Sequence, residues 1–220
     1  MAEEYNMKKE NVKKYISTAL ISDILDDMGY QKQVLSVEIK PNFHEAKIFG
    51  YARTLKLKTL SPKDDYRDIY KGLSFIESMN TGEVLIVSGG SKKYAFFGEL
   101  MSTLAQKRNV EGAIIDGLTR DSAQTRKMKF PVFSRDNYAR DIKKRGIIVA
   151  QDVSVYVDKV QVNKGDLIIG DCDGVIIVPQ SLENDVLNRA LESAKLEERI
   201  KKAITNGVSV EQILKQNGEF

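Results

Sequence analysis

The sequence predicts an α/β fold: one domain followed by a helical tail. Three observations carry this reading. Short, nearly continuous apolar runs at Glu83–Val87 and Gly112–Asp116 have the composition of strands buried on both faces. Amphipathic stretches of helical period alternate with such runs. With 42% hydrophobic and 30% charged residues, the 220-residue chain has material for a sizeable core, and neither repeat nor low-complexity linker divides it. The body is therefore assigned to residues 1–180 and the tail to 181–220.

Ser17 to Met28 reads as the first helix. Ser17 or Thr18 offers a cap, Leu20, Ile24, Leu25 and Met28 recur at helical spacing, and Gly29 ends it. Ile48 to Lys58 alternates as a strand does, and Asp64 to Met79 is predicted as a helix carrying Ile69, Leu73 and Ile76 on one face. After the strand Glu83–Val87, Gly89-Gly90 opens a loop, and a helix follows from about Gly98 to Asn109. The strand Gly112–Asp116 leads into a turn beginning at Gly117. Pro131–Ser134, Ile147–Val149, Val153–Val157, Leu167–Gly170 and Val175–Val178 are further short strands, expected to add antiparallel pairs. Leu182 to Thr205 is a long amphipathic helix, and Val208 to Gln216 a short last one.

Several classes of function are set aside by composition. Lys plus Arg total 34 and Asp plus Glu 31, so the net charge is only +3, which implies no nucleic-acid partner. The clusters Arg126-Lys127-Met128-Lys129 and Lys143-Lys144-Arg145 read as solvated surface. A lone cysteine, Cys172, excludes an intramolecular disulfide framework and a thiolate zinc cluster. No apolar leader opens the sequence and no apolar run approaches the ~20 residues of a membrane span, so a cytoplasmic location is expected. The single histidine, His44, reads as a surface-turn residue, which leaves Ser-His-Asp chemistry without support. Asp171 and Asp173 around Cys172 are expected to set a turn. Gly89-Gly90 lacks the spacing of a nucleotide-binding loop.

The segment from Glu83 to Asp121 reads strand, loop, helix, strand, loop. Such a crossover is right-handed and its strands are parallel, so both loops open at one carboxyl edge of the sheet. That edge gathers the helix start Gly98-Glu99-Leu100-Met101 with Arg120 and Asp121. Unpaired N–H groups at a helix start attract anions, and Gly98 lets a ligand approach the backbone. Arg120 can grip a carboxylate with two hydrogen bonds. Asp121 offers a hard oxygen to Mg²⁺ or Mn²⁺, and Glu99 a group able to hold a water on the metal. An Arg-Asp pair after a glycine turn also serves elsewhere as a plain surface salt bridge, and the residues alone leave both readings open.

The spacing Gly98-Glu99, twenty residues, then Arg120-Asp121 resembles the acidic-x20-Arg-Asp signature of the RraA-like family. Ser17 to Leu25, Gly50 to Thr54 and Val162 to Val175 are also similar to it, so the resemblance spans about residues 15–180. That family includes the regulator of ribonuclease activity A and the class II 4-hydroxy-4-methyl-2-oxoglutarate aldolases. The resemblance implies a swivelling β/β/α-type fold and a homotrimer or a hexamer with sites between subunits. It implies a Mg²⁺- or Mn²⁺-dependent lyase releasing pyruvate from a 4-hydroxy-2-oxo acid, with oxaloacetate decarboxylation as a side activity. Arg120 and Asp121 are the implied catalytic pair: Arg120 binds the substrate carboxylate and Asp121 the metal. Gly98, Glu99, Leu100 and Met101 are the implied substrate contacts, through main chain. The alternative it implies is a non-catalytic regulator that binds a ribonuclease. The chain departs from the aldolases in carrying Glu99 where Asp is usual and Gln124 where an acidic residue is frequent. In the tail, Glu198 falls near the stripe of Leu187, Leu191 and Ala194. Either the helix leaves the body there, or Glu198 reaches a neighbouring subunit's site as a tail glutamate of the aldolases does.

Overall fold

The computed structural model describes residues 15–217. Helix α1 (Thr18–Asp27) begins where the Ser17 side chain accepts the Leu20 N–H, and Gly29, at φ +85°, turns the chain away after it. β1 (Lys40–Pro41) and β2 (Ile48–Thr59) follow. The stretch expected as one helix from Asp64 to Met79 is a 3₁₀ turn, Tyr66–Tyr70, and then α2 (Lys71–Glu77). The carboxylate of Asp65 accepts the Arg67 N–H, and that of Asp64 accepts both the Ser61 N–H and its hydroxyl. Such local bonds compete with the helical ladder and hold the first part out of α geometry.

The chain continues through β3 (Glu83–Ser88), β4 (Ala95–Phe97), α3 (Glu99–Lys107), β5 (Gly112–Thr119), α4 (Ser122–Lys127) and β6 (Val132–Asn137). Then come β7 (Gly146–Gln151), β8 (Val155–Val157), β9 (Val160–Val162), β10 (Leu167–Asp171) and β11 (Gly174–Val178). A 3₁₀ turn leads into α5 (Glu183–Thr205), and α6 (Val210–Asn217) is last.

Nine strands form one sheet in the order β1-β6-β5-β3-β2-β10-β11, with β4 also on β5 and β7 also on β2. β2, β3, β5 and β6 run parallel, whereas β1, β7, β10 and β11 join antiparallel. The second half thus adds antiparallel pairs as expected, except that β6 extends the parallel set. Three strands the sequence did not disclose, β1, β4 and β9, are only two or three residues long. β4 pairs in parallel with Leu118 and Thr119, and this partner carries β5 past Asp116, through the predicted turn, to Thr119.

Period-two alternation divides the apolar side chains among three cores. On β3, Leu85 and Val87 point to one face with Phe75, Ile76 and Phe97, while Val84 and Ile86 point to the other with Ile48, Phe133 and Val175. On β11, Val175 and Ile177 join that second core, while Ile176 and Val178 meet α1 and the first turns of α5. There Val186, Leu187 and Ala190 are buried; farther along α5 most side chains are exposed. Where β2 passes from the third core to the first, Arg53 is buried. Its Nε donates to Asp152 at 2.7 Å, its Nη1 to Glu83 at 3.0 Å, and its guanidinium lies 4.7 Å from the Phe75 ring centre.

Candidate functional site

The parallel strands β4 and β5 end together, and the loops after them converge. β4 gives way at once to α3, whose N-cap is Gly98. β5 gives way to Arg120 and Asp121, and the Arg120 N–H donates to the Phe97 carbonyl at 2.9 Å, clamping the two loops. The first intrahelical bond of α3 is Ser102 N–H to Gly98 carbonyl. The N–H groups of Glu99, Leu100 and Met101 therefore have no partner within the helix. That of Glu99 donates to Asp121 Oδ2 at 3.2 Å, leaving those of Leu100 and Met101 at the helix end.

Gly98 is needed for space. Its backbone is extended, but a Cβ there would lie 2.5 Å from Asp121 Oδ2 and 3.0 Å from Arg120 Cγ. The missing side chain makes room for the Arg-Asp pair itself and not only, as expected from sequence, for a ligand. Asp121 sits in the left-handed region at φ +55°, a conformation costing a non-glycine residue about 1 kcal/mol or more. It is held because the Arg120 N–H before it is bound to Phe97 and its own carbonyl accepts from the N–H groups of Gln124 and Thr125.

Arg120 lies between two carboxylates at loose distances, Nε 3.6 Å from Asp121 Oδ2 and Nη1 3.5 Å from Asp141 Oδ2. Its side chain is 36% exposed. These groups face a cavity of about 270 Å³ lined by Gly98, Leu100, Met101, Arg120 and Asp121, and walled by Ile69, Leu73, Phe96 and Ile142. All the sequence-predicted site residues except Glu99 line this one cavity. Glu99 contributes its main-chain N–H, and its exposed carboxylate is not part of the lining.

Four lining residues were not singled out from sequence: Tyr70, Asp141, Ile142 and Lys143. Tyr70 ends the 3₁₀ turn, and the other three arrive through a bond pattern remote in the chain. The Ala95 N–H donates to the Arg140 carbonyl at 2.7 Å and the Ile142 N–H to the Ala95 carbonyl at 3.0 Å, so residues 140–142 lie along β4. Lys143, assigned from sequence to a solvated basic cluster, stands at the cavity as a result. No periodicity marks this loop, so nothing in the local pattern reveals it.

The remaining candidates fall outside the cavity. Gln124 is exposed on α4. Glu198 is exposed, and Lys202 one turn on donates to it at 2.9 Å, which holds its carboxyl below the usual range. His44 is exposed in a turn, as expected. Asp171 accepts the Thr18 N–H and hydroxyl and the Asp173 N–H, so it braces the start of α1 and its own turn. Gly89 and Gly90 pack against the backbone of Leu57 and Asp116. Among the described residues no helix is long and apolar enough to cross a membrane.

The donor set suits a hard divalent cation. Asp121 uses Oδ2 for the Glu99 N–H, and among the described residues Oδ1 has no hydrogen-bond partner. One half-exposed carboxylate oxygen beside an open cavity matches the way Mg²⁺ is held by one or two carboxylates, with water and substrate completing its shell.

Comparison with known proteins places the chain. The family model described as RraA-like, Aldolase/RraA, matches residues 18–177. Protein DlpA of Legionella pneumophila is 29% identical over 197 residues, 89% of this chain and 31% of DlpA, so the chain spans about a third of that relative. The "Putative 4-hydroxy-4-methyl-2-oxoglutarate aldolase" of Halalkalibacterium halodurans is 29% identical over 194 residues, 88% of this chain and 87% of its own. Streptomyces coelicolor RraAS2, described as an unusual member of the RNase ES inhibitor RraA protein family, superposes with a TM-score of 0.76. Its identity is 23%, over 84% of this chain and 91% of that one, a likeness of fold.

Proposed function

The chain belongs to the RraA-like family, and we propose that it is a divalent-cation-dependent lyase cleaving a 4-hydroxy-2-oxo acid to pyruvate. The observation that supports this is the convergence of Arg120, Asp121 and the outward N–H groups of Leu100 and Met101 on one cavity. Asp121 would hold Mg²⁺ or Mn²⁺, which when bound supplies electron withdrawal at the 2-oxo group.

The chain's own residues do the rest. Arg120 takes the carboxylate beside the 2-oxo group; its loose ion pairs leave N–H groups able to turn to a ligand. Asp141 keeps the guanidinium aimed at the cavity. The C3–C4 bond then breaks: the C4 hydroxyl passes its proton to solvent water, which returns one to C3 at the end, the hydroxyl becomes a carbonyl, and the bond's electron pair passes into an enolate. The N–H groups of Leu100 and Met101 offer hydrogen bonds where that negative charge develops. Protonation of C3 gives pyruvate. Oxaloacetate reaches the same enolate by losing CO₂, so its decarboxylation is the expected side activity. A homotrimer or hexamer in the cytoplasm is the proposed setting.

The test is pyruvate release from 4-hydroxy-4-methyl-2-oxoglutarate with Mg²⁺ or Mn²⁺. Activity should vanish with EDTA and fall at least a hundredfold in Asp121→Ala, an effect of about 2.7 kcal/mol on the barrier. Turnover that survives both chelation and Asp121→Ala removes the mechanism. A folded protein with neither turnover nor cation uptake, but with tight binding to an endoribonuclease region, favours the regulator instead.

A further inference from the structure

We propose that Asp141 is the catalytic base of the Arg120 cavity: its carboxylate takes the proton of the ligand's C4 hydroxyl as the C3–C4 bond breaks and hands it on to solvent water. The inference rests on the reading of that cavity as a lyase site, and it supplies the proton acceptor that the cleavage requires.

The bond cannot break until the hydroxyl proton has somewhere to go, and a placed side chain that accepts it speeds such a step by about 10²–10⁴-fold. Among the described residues, the polar side chains on the lining are Tyr70, Arg120, Asp121, Asp141 and Lys143. Arg120 and Lys143 are cations that only donate, and Tyr70 is a phenol, so the acceptors are the two carboxylates. Asp121 is already committed: Oδ2 accepts the Glu99 N–H at 3.2 Å, and Oδ1 is the oxygen assigned to the cation. Asp141 is left. The Glu99 carboxylate and His44 stand outside the lining, and Glu198 is held by Lys202 on α5.

The loop fixes this carboxylate at the cavity. The main chain on either side of Asp141 is bonded to Ala95 of β4, through the Arg140 carbonyl at 2.7 Å and the Ile142 N–H at 3.0 Å. Arg145 Nη1 donates to the Asp141 carbonyl at 3.0 Å. The two side-chain oxygens have different surroundings. Oδ1 accepts the Lys143 N–H at 3.1 Å, which limits rotation of the group. Oδ2 faces Arg120 Nη1 at 3.5 Å, longer than an ordinary hydrogen bond. When Arg120 turns its N–H groups to a substrate carboxylate, Oδ2 is left to the substrate hydroxyl. Asp121 and Asp141 meet different nitrogens of one guanidinium, so the cation-holding and proton-accepting carboxylates flank the group that grips the 2-oxo end. At 41% exposure the Asp141 side chain can release the proton to water.

The step balances. The O–H electron pair becomes the second bond of the C4 carbonyl, the C3–C4 pair becomes the enolate, and the proton moves to Oδ2 and then to water. Oxaloacetate has no C4 hydroxyl and loses CO₂ without giving up such a proton, so its decarboxylation has no use for this base.

The experiment compares the two reactions in the full chain with Mg²⁺: pyruvate release from 4-hydroxy-4-methyl-2-oxoglutarate and from oxaloacetate. Asp141→Asn keeps an oxygen for the Lys143 N–H and for Arg120 but cannot take up the proton. Its kcat for cleavage should fall about a hundredfold. KM should stay within about threefold, and decarboxylation should fall no more than about threefold. Asp141→Glu, which restores a carboxylate, should recover part of the cleavage. Thermal melting of both variants should match the wild type, as expected of a near-isosteric change on an exposed side chain. Equal losses in the two reactions, or undiminished cleavage in Asp141→Asn, overturns this assignment alone. A wild type that cleaves no 4-hydroxy-2-oxo acid overturns the lyase reading together with it.

Discussion

Arg53 and Arg120 each stand between two carboxylates, yet the two regions are built for different ends. Around Arg53 the ion pairs are 2.7 and 3.0 Å long, the side chain is 11% exposed, and an aromatic ring closes the third side. Around Arg120 they are 3.5 and 3.6 Å long, the side chain is more than three times as exposed, and a cavity occupies the open side. The first guanidinium donates through Nε and Nη1 to carboxylates within the protein and is largely shut off from solvent. The second keeps capacity in reserve. Close pairing with burial marks an arginine that holds strands together; loose pairing beside a cavity leaves one whose N–H groups can turn to another partner.

The largest effect expected from this contrast is on stability. Arg53→Met leaves Glu83 without its cation and Asp152 with Lys164 alone, and unfolding in urea should show a loss of about 2–3 kcal/mol, discounted for their partial exposure. Arg120→Met should cost under about 1 kcal/mol in the same measurement, because its carboxylates remain solvated. Equal losses would erase the distinction.

A second variant acts on the open region alone. In Gly98→Ala the new Cβ meets the Asp121 carboxylate and the Arg120 stem, so both must move. Affinity for a 2-oxo acid should fall by about a hundredfold, with stability lowered by only about 1 kcal/mol as a glycine N-cap becomes alanine. Binding that survives unchanged would mean the Arg-Asp pair is not held by this close approach.

Acid sharpens the comparison with a smaller effect. Burial raises the Asp152 pKa, but the hydrogen bonds from Arg53 and Lys164 outweigh it and hold the carboxyl below 3.8. A depressed carboxylate pKa stabilises the fold above the unfolded-state value, and that contribution is lost as pH falls through the folded-state value. The stability difference between wild type and Arg53→Met should therefore be full at neutral pH and shrink as pH drops below 3.8. A difference that grows in acid would place the coupling elsewhere.

Much of the parallel framework was legible in the sequence. The runs Glu83–Val87 and Gly112–Asp116 are apolar at every interior position, and burial on both faces of a sheet demands that. The crossover rule then brought Gly98, Leu100, Met101, Arg120 and Asp121 to one edge before any coordinate was known. The elements that were missed are those whose partners lie far along the chain. β4 has only three residues and exists because β5 offers it hydrogen bonds. The helix expected over 64–79 is broken by the side chains of Asp64 and Asp65, which satisfy nearby main-chain groups instead.

The sequence by itself determined the alternation of elements and the sheet edge where Gly98, Leu100, Met101, Arg120 and Asp121 gather, because period and chain connectivity are local properties. Only the tertiary structure decided that residues 140–142 lie along β4, which brings Asp141 and Lys143 to the cavity, and that Arg53 rather than Arg120 is locked by its carboxylates. Those outcomes depend on hydrogen bonds and burial between segments distant in the chain, and such partners leave no mark on the pattern of either segment alone.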